Sequence, residues 1–180
     1  MPPAHPLRPG GQRIADRSFD RDGGPLLPPK LILSPIDFSD QSHEALDTAA
    51  NFASAVGAEL LVVHVVPMLP RLPSPAPVFN EAEFEQELHK DSEKRLGALA
   101  EKLKARGLKV RTEVGTATDV AMEIVRMGEH HKADLIVIAT HGMTGWHRLL
   151  LGSVTEKVVR MSHLPVLVLR AEPGGAKHSS

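Results

Sequence analysis

The sequence predicts an α/β domain: an open parallel sheet of five strands with helices on both faces. Two observations carry this. Short apolar runs of strand length alternate strictly with longer amphipathic stretches. Every connection between consecutive strands is long enough to hold a helix, which dictates parallel strands and right-handed crossovers. The folded domain is expected over residues 30–170. Residues 1–29, punctuated by Gly10, Gly11, Gly23, Gly24 and Pro28-Pro29, read by composition as a disordered arm. Residues 171–180, with Pro173-Gly174-Gly175, read as a flexible tail.

The elements follow in order. Leu31-Ile32-Leu33 is a short buried strand. A helix runs from about Gln41 to Val56, with Ala45, Ala49, Phe52 and Ala53 on one face and Gly57 ending it. Leu60 to Val66 is a second buried strand, and Pro67 to Pro77 a proline-rich loop. Glu81 to Arg106 is a long amphipathic helix with Phe84, Leu88, Leu96, Leu99 and Leu103 on its apolar side. Its glutamates lead and its basic residues follow, as the helix dipole favours. Gly107 caps it. Leu108 to Val114 is the third strand. Thr116 with Asp119 three residues on reads as a capping-box variant opening a helix to His131. Leu135 to Ala139 is the fourth strand, Val154 to Ser162 the last helix, and Val166 to Leu169 the fifth strand.

The two ends of the pattern differ. Lys109, Arg111 and Glu113 share one face of strand three, which suits an exposed edge. Strand five carries no charge. It is either covered by helices on both faces or an edge that pairs with a second subunit.

Composition excludes several classes of function. A net charge of −1 over 180 residues gives no electrostatic footprint for nucleic acid or an anionic membrane. With no cysteine there is no disulfide scaffold, thiolate chemistry or cysteine zinc site, and a reducing, cytoplasmic setting is expected. Apolar runs are strand-sized, and the amino terminus has no signal-peptide core. One tryptophan and no tyrosine offer no stacking platform for single strands. No P-loop, dinucleotide fingerprint or nucleophile elbow is present.

Two strand ends stand out. Strand one runs into Ser34-Pro35-Ile36-Asp37-Phe38-Ser39, and strand four into Ala139-Thr140-His141-Gly142. Ligands of open parallel sheets bind beyond the carboxyl ends, where the strand order reverses. If strands one and four are neighbours, Asp37 and Gly142 face one crevice. Gly152-Ser153 precedes a helix, where free N–H groups and the dipole make an anion site. The competing reading is that Ser153 and Glu156 form a capping box and nothing more. His64 reads as a satisfied core residue, and His130-His131 as cations complementing a helix carboxyl end.

Residues 30–170 resemble the universal stress proteins. Leu33 to Ser39 resembles that family's first strand and turn, Ala133 to Gly142 its fourth strand, Leu149 to Val158 its last helix start, and His163 to Leu169 its terminal strand. The family's ATP-binding branch shows Gly-x2-Gly-x9-Gly-Ser/Thr. This sequence has Ala139, Gly142, Gly152 and Ser153 at those positions, with the first glycine replaced. The resemblance implies a Rossmann-like sheet of strand order 3-2-1-4-5 and a cytoplasmic homodimer paired through the C-terminal strand. It implies ATP as ligand, with the requirement for Mg²⁺ left open. Pro35, Ile36 and Asp37 would lie at the nucleotide, with Asp37 accepting from ribose hydroxyls. The backbone near Leu60 would read the adenine edge. Ile138 and Ala139 would line the site, while Gly142, Gly152, Ser153, Val154 and Thr155 hold phosphates. His141, His147 and Arg148 are basic groups beside that loop.

Three functions are then open. The first is an ATP-binding regulatory protein whose nucleotide state alters an interaction with an unknown protein partner. The second is a dimeric interaction module that binds no nucleotide, which the Ala139 replacement keeps alive. The third is an enzyme. Adenylating relatives need a Ser-Gly-Gly loop after strand one, where this chain has Ser34-Pro35-Ile36-Asp37. That departure places the enzyme reading lowest; slow ATP hydrolysis stays open, with no general base evident beyond Asp37.

Overall fold

The computed structural model describes residues 28–68, 81–140 and 152–170. The expected arm, tail and proline-rich loop fall almost wholly outside them. Five strands and four helices alternate: β1 (Leu31–Pro35), α1 (Asp40–Val56), β2 (Glu59–Pro67), α2 (Glu81–Ala105), β3 (Val110–Ala117), α3 (Val120–His130), β4 (Leu135–Ala139), α4 (Ser153–Met161) and β5 (Val166–Leu169). All strand pairs are parallel and the order is β3-β2-β1-β4-β5. Among the described residues, no helix is long and apolar enough to cross a membrane.

The sheet divides the core into two layers. Ile32, Leu60, Val62 and Val137 pack against α1 and α2 through Ala49, Ala53, Leu96 and Leu103. Leu33, Leu61, Val63, Ile136 and Ile138 pack on the other face against Ile124 and Met127 of α3 and Val158 of α4. Alternation along each strand produces this division, and burial of both faces explains the uninterrupted apolar runs.

Local chemistry sets the helix ends. Ser39 caps α1, its Oγ accepting from the Ser42 N–H at 3.2 Å. Gly57 (φ 73°) ends α1 in the left-handed region, and Gly107 (φ 86°) follows α2 in the same conformation. The opening of α3 differs from expectation. Thr116 lies in β3, opposite Val66, because β2 and β3 stay in register as far as Ala117. Asp119 is itself the cap, accepting from the Met122 N–H at 3.2 Å and pairing with Lys157 of α4.

Three apolar expectations are corrected. Phe52 is 36% exposed, because the buried stripe of α1 is Ala45, Leu46, Ala49, Ala50 and Ala53. Those small side chains bring α1 close to the sheet and leave the ring at its flank. Phe84 and Leu88 are each 40% exposed, since α2 buries a narrow row of Ser92, Leu96, Ala100 and Leu103. β3 is an edge, as its charges suggested, with Arg111 bound to Glu59 and Glu113 in contact with His131. β5 is the opposite edge, so the reading in which helices cover it on both faces does not hold: Leu167 is 40% exposed.

Ser34 is fully buried, and its Oγ has no hydrogen-bond partner. A buried hydroxyl in that state carries an uncompensated desolvation cost. Ser34→Ala is therefore expected to raise stability by about 1–2 kcal/mol. Urea unfolding checks this. A loss of the same size would show that the hydroxyl finds a partner.

Candidate functional site

The site originates where strand pairing stops. β1 pairs with β2 only to Pro35 opposite Val63, with one further bond from the Ile36 N–H to the Val63 carbonyl at 2.8 Å. β2 runs on beside β3 to Pro67. A cleft of about 200 Å³ opens at the carboxyl ends of β1, β2 and β4. β1 contributes Pro35 with Ile36 and Asp37 of the following turn, β2 Val63 and Val65, and β4 Ile138 and Ala139. Ile124 of α3 and Ser42 of α1 close its sides, and residues 152–155 at the start of α4 its far wall.

The turn after β1 is held from several directions. Asp37 Oδ1 accepts from the Ser39 N–H at 3.1 Å and the Ser39 hydroxyl at 2.6 Å, so the α1 cap also orients this carboxylate. Phe38 adopts φ 63°, a left-handed conformation that costs a residue with a Cβ about 1–2 kcal/mol. Its ring contacts two partners. The Arg95 guanidinium of α2 sits 3.7 Å from the ring centroid, and the His64 imidazole of β2 lies 4.6 Å away, centroid to centroid. His64 Nδ1 donates to the Ile36 carbonyl at 2.7 Å. Burial holds the His64 imidazole below its ordinary basicity. The Arg95 charge adds to this, while the Ile36 bond and Asp37 oppose it.

The start of α4 is bare. Gly152 is the N-cap, and among the described residues no side chain caps the helix. The predicted capping box of Ser153 and Glu156 is not formed, because Ser153 is already the first helical residue and the Glu156 N–H bonds the Gly152 carbonyl at 2.9 Å. Helix geometry leaves the N–H groups of Ser153, Val154 and Thr155 without intrahelical acceptors. Gly152 has φ −59° and ψ 148°, which any residue can adopt. What glycine supplies there is the missing side chain. The Gly152 N–H is already committed to the Thr140 carbonyl at 2.7 Å, and the buried Thr155 hydroxyl donates to the Ala139 carbonyl at 2.8 Å. Thr155 thus fixes the helix to β4 with its hydroxyl and offers the cleft its backbone.

Nine of the residues singled out from sequence line this one cleft: Pro35, Ile36, Asp37, Ile138, Ala139, Gly152, Ser153, Val154 and Thr155. Leu60 does not. It sits at the amino end of β2, opposite Ile32 and Val110 and enclosed in the core. The β2 residues at the cleft are Val63 and Val65, further along the same apolar run. His141, Gly142, His147 and Arg148 lie outside the described residues. Strand alternation puts the Ala139 methyl on the face opposite Ile138, away from α4. Phe38, His64 and Arg95 were not expected as site supports. Ile124 was not expected as a wall.

Comparison with known proteins places this architecture. The universal stress protein family model matches residues 29–170. Universal stress protein MJ0531 of Methanocaldococcus jannaschii is 40% identical over 143 residues, 78% of this chain and 82% of that protein. The structure of universal stress protein UspA from Lactobacillus plantarum superposes with a TM-score of 0.69 at 25% identity, covering 78% of this chain and 97% of that one. The Archaeoglobus fulgidus universal stress protein in complex with dAMP shares the fold, with a TM-score of 0.55 at 18% identity over 77% of this chain and 94% of that one. The chain belongs to the universal stress protein family.

Proposed function

We propose that this protein binds an adenine nucleotide, ATP, in the cleft, and that occupancy acts through assembly or a protein partner rather than through turnover. The bare start of α4 carries the reading. Three backbone N–H donors and the positive end of a helix dipole face the same cleft as an oriented carboxylate. Phosphates suit the first and ribose hydroxyls the second. The base fits the apolar wall of Val63, Val65 and Ile124. On β2 the Val63 carbonyl faces β1 and the Leu60 N–H faces β3, so the Val65 backbone groups face the side that β1 has left. An N–H donor beside a C=O acceptor matches the adenine N1 and N6 edge and opposes that of guanine. This assigns to Val65 the role expected near Leu60. The dAMP held by the Archaeoglobus protein of the same fold is a ligand of this class. If Mg²⁺ accompanies ATP, Asp37 is the described carboxylate at the cleft, and the ion would neutralise phosphate charge there.

Gly152→Asp separates binding from folding. A carboxylate at the N-cap would accept from the Val154 or Thr155 N–H from within and repel phosphate. Thermal stability should hold or rise by a few tenths of a kcal/mol, while calorimetric titration shows ATP affinity lost by about tenfold or more. Unchanged affinity in the folded variant would remove α4 from the phosphate site.

Asp37→Ala should weaken ATP by about 1–3 kcal/mol, the cost of deleting one charged partner. It should also reduce discrimination against the deoxyribose analogue. Equal discrimination in both proteins would take the carboxylate off the sugar.

We also propose that β5 pairs with its copy in a second subunit across a two-fold axis. An uncharged edge strand with an exposed Leu167 is otherwise an aggregation hazard. Val168 packs on the core, so charge there would also damage the fold. Leu167→Lys is the cleaner probe, because a two-fold contact meets the change twice. Light scattering over a concentration series should show a dimer for the parent and a shift to monomer for the variant. A parent that stays monomeric at high micromolar concentration would overturn the pairing.

A further inference from the structure

We propose that His64 is a positioning residue for the nucleotide site: neutral, it holds the Asp37 turn in its binding shape, and protonated, it loosens that turn and lowers nucleotide affinity. This deepens the adenine-nucleotide reading above and rests on it.

The geometry couples the imidazole to the site in two ways. Nδ1 donates to the carbonyl of Ile36, the residue immediately before Asp37. The ring also packs on Phe38, the residue immediately after. Phe38 sits in a left-handed conformation that a residue with a Cβ leaves unless its surroundings hold it. Those surroundings are the His64 and Arg95 contacts on its ring, together with the Asp37–Ser39 bonds that bridge it. The strained turn therefore depends on the stack.

Protonation strikes the stack directly. A carbonyl accepts at Nδ1, so the added proton goes to Nε2 and leaves the Ile36 bond in place. The imidazolium then shares a partly buried site with the Arg95 cation, both against the Phe38 ring. Arg95 and Asp37 are the charged groups acting on this imidazole, the first disfavouring and the second favouring its charge. Asp91, one helical turn before Arg95, approaches that guanidinium at 4.0 Å. Beside His64, β3 presents the uncharged Val114, and α1 lines this face of the sheet with alanines. Burial is the larger influence and acts against the charge. The held turn thus binds the proton less well than a released one. Affinity should fall as pH drops below imidazole's ordinary value of about 6.5.

The test is calorimetric titration of the full chain with ATP at pH 7.5 and 5.5. The parent should lose affinity by up to about tenfold, the ceiling for one imidazole of ordinary basicity kept neutral in the bound form. His64→Asn places an amide N–H where Nδ1 was and does not titrate. It should restore binding at pH 7.5 relative to His64→Ala and lose less affinity at pH 5.5 than the parent. Protonation of ATP itself is common to all variants, so the difference between them is the readout. Arg95→Gln keeps the imidazole, removes the repelling cation, and should shrink the fall. It serves if the His64 variants do not fold. Equal falls in the parent and the variants would overturn the proposal and leave the nucleotide reading standing. Absence of ATP binding by the parent at pH 7.5 would overturn both.

Discussion

The handedness of the crossovers around β1 is the constraint on which the rest of the molecule depends. A parallel strand can be reached from its neighbour only through a right-handed connection. From β1 the chain moves outward one way through α1 and α2, then crosses back beyond β1 and moves the other way through α3 and α4. Opposite directions of travel require opposite faces, and the two core clusters record this. β1 and β4 lie side by side, yet the chain leaves them towards different layers. The gap between those departures is the cleft. No side chain creates it, and replacing core residues by others of similar volume would leave it in place.

Within that gap most of the recognition belongs to the backbone. The phosphate donors are the first N–H groups of α4, and the groups assigned to the base lie on an open edge of β2. Their positions are set by bonds to the sheet: Thr155 to Ala139, Gly152 to Thr140, and Ile36 to Val63. Donors fixed before a ligand arrives lose little freedom on binding it. Apart from Asp37 and Arg95, the paired charged side chains do other work. Asp119 with Lys157 ties α3 to α4, and Arg106 with Asp47 ties α2 to α1. Such exposed pairs set the relation of neighbouring helices more than they add stability.

Much of this was legible in the sequence, and the parts that were not have physical reasons. Strand and helix alternation is a property of local periodicity, so all nine elements and both glycine stops could be read directly. Depth along a strand is not. The run from Leu60 to Val66 is apolar but for His64, and a lone histidine does not by itself say which end of the strand is open, Leu60's or Val65's. Ser153 and Glu156 fit a capping box when Ser153 stands one residue before the helix. They lose that role when it is the first residue inside, and the letters are the same in both cases. Arg95 and Phe38 are far apart in the chain and meet only because α2 lies over the β1–α1 turn. Phe52, Phe84 and Leu88 had the right spacing for burial, but alanines and a narrow contact row filled the positions that face the sheet.

The bond from Gly152 to Thr140 has a consequence for how such proteins diversify. The chain leaves the sheet and returns to it at two points that touch. Residues 141–151 are therefore spanned by a tie that belongs wholly to the scaffold and does not depend on their composition. Closing a connection of different length between the same two points changes the entropy only slowly with length. The tie lets the fold tolerate a change of length there, while the phosphate role that the resemblance implies for Gly142 constrains what the stretch can contain.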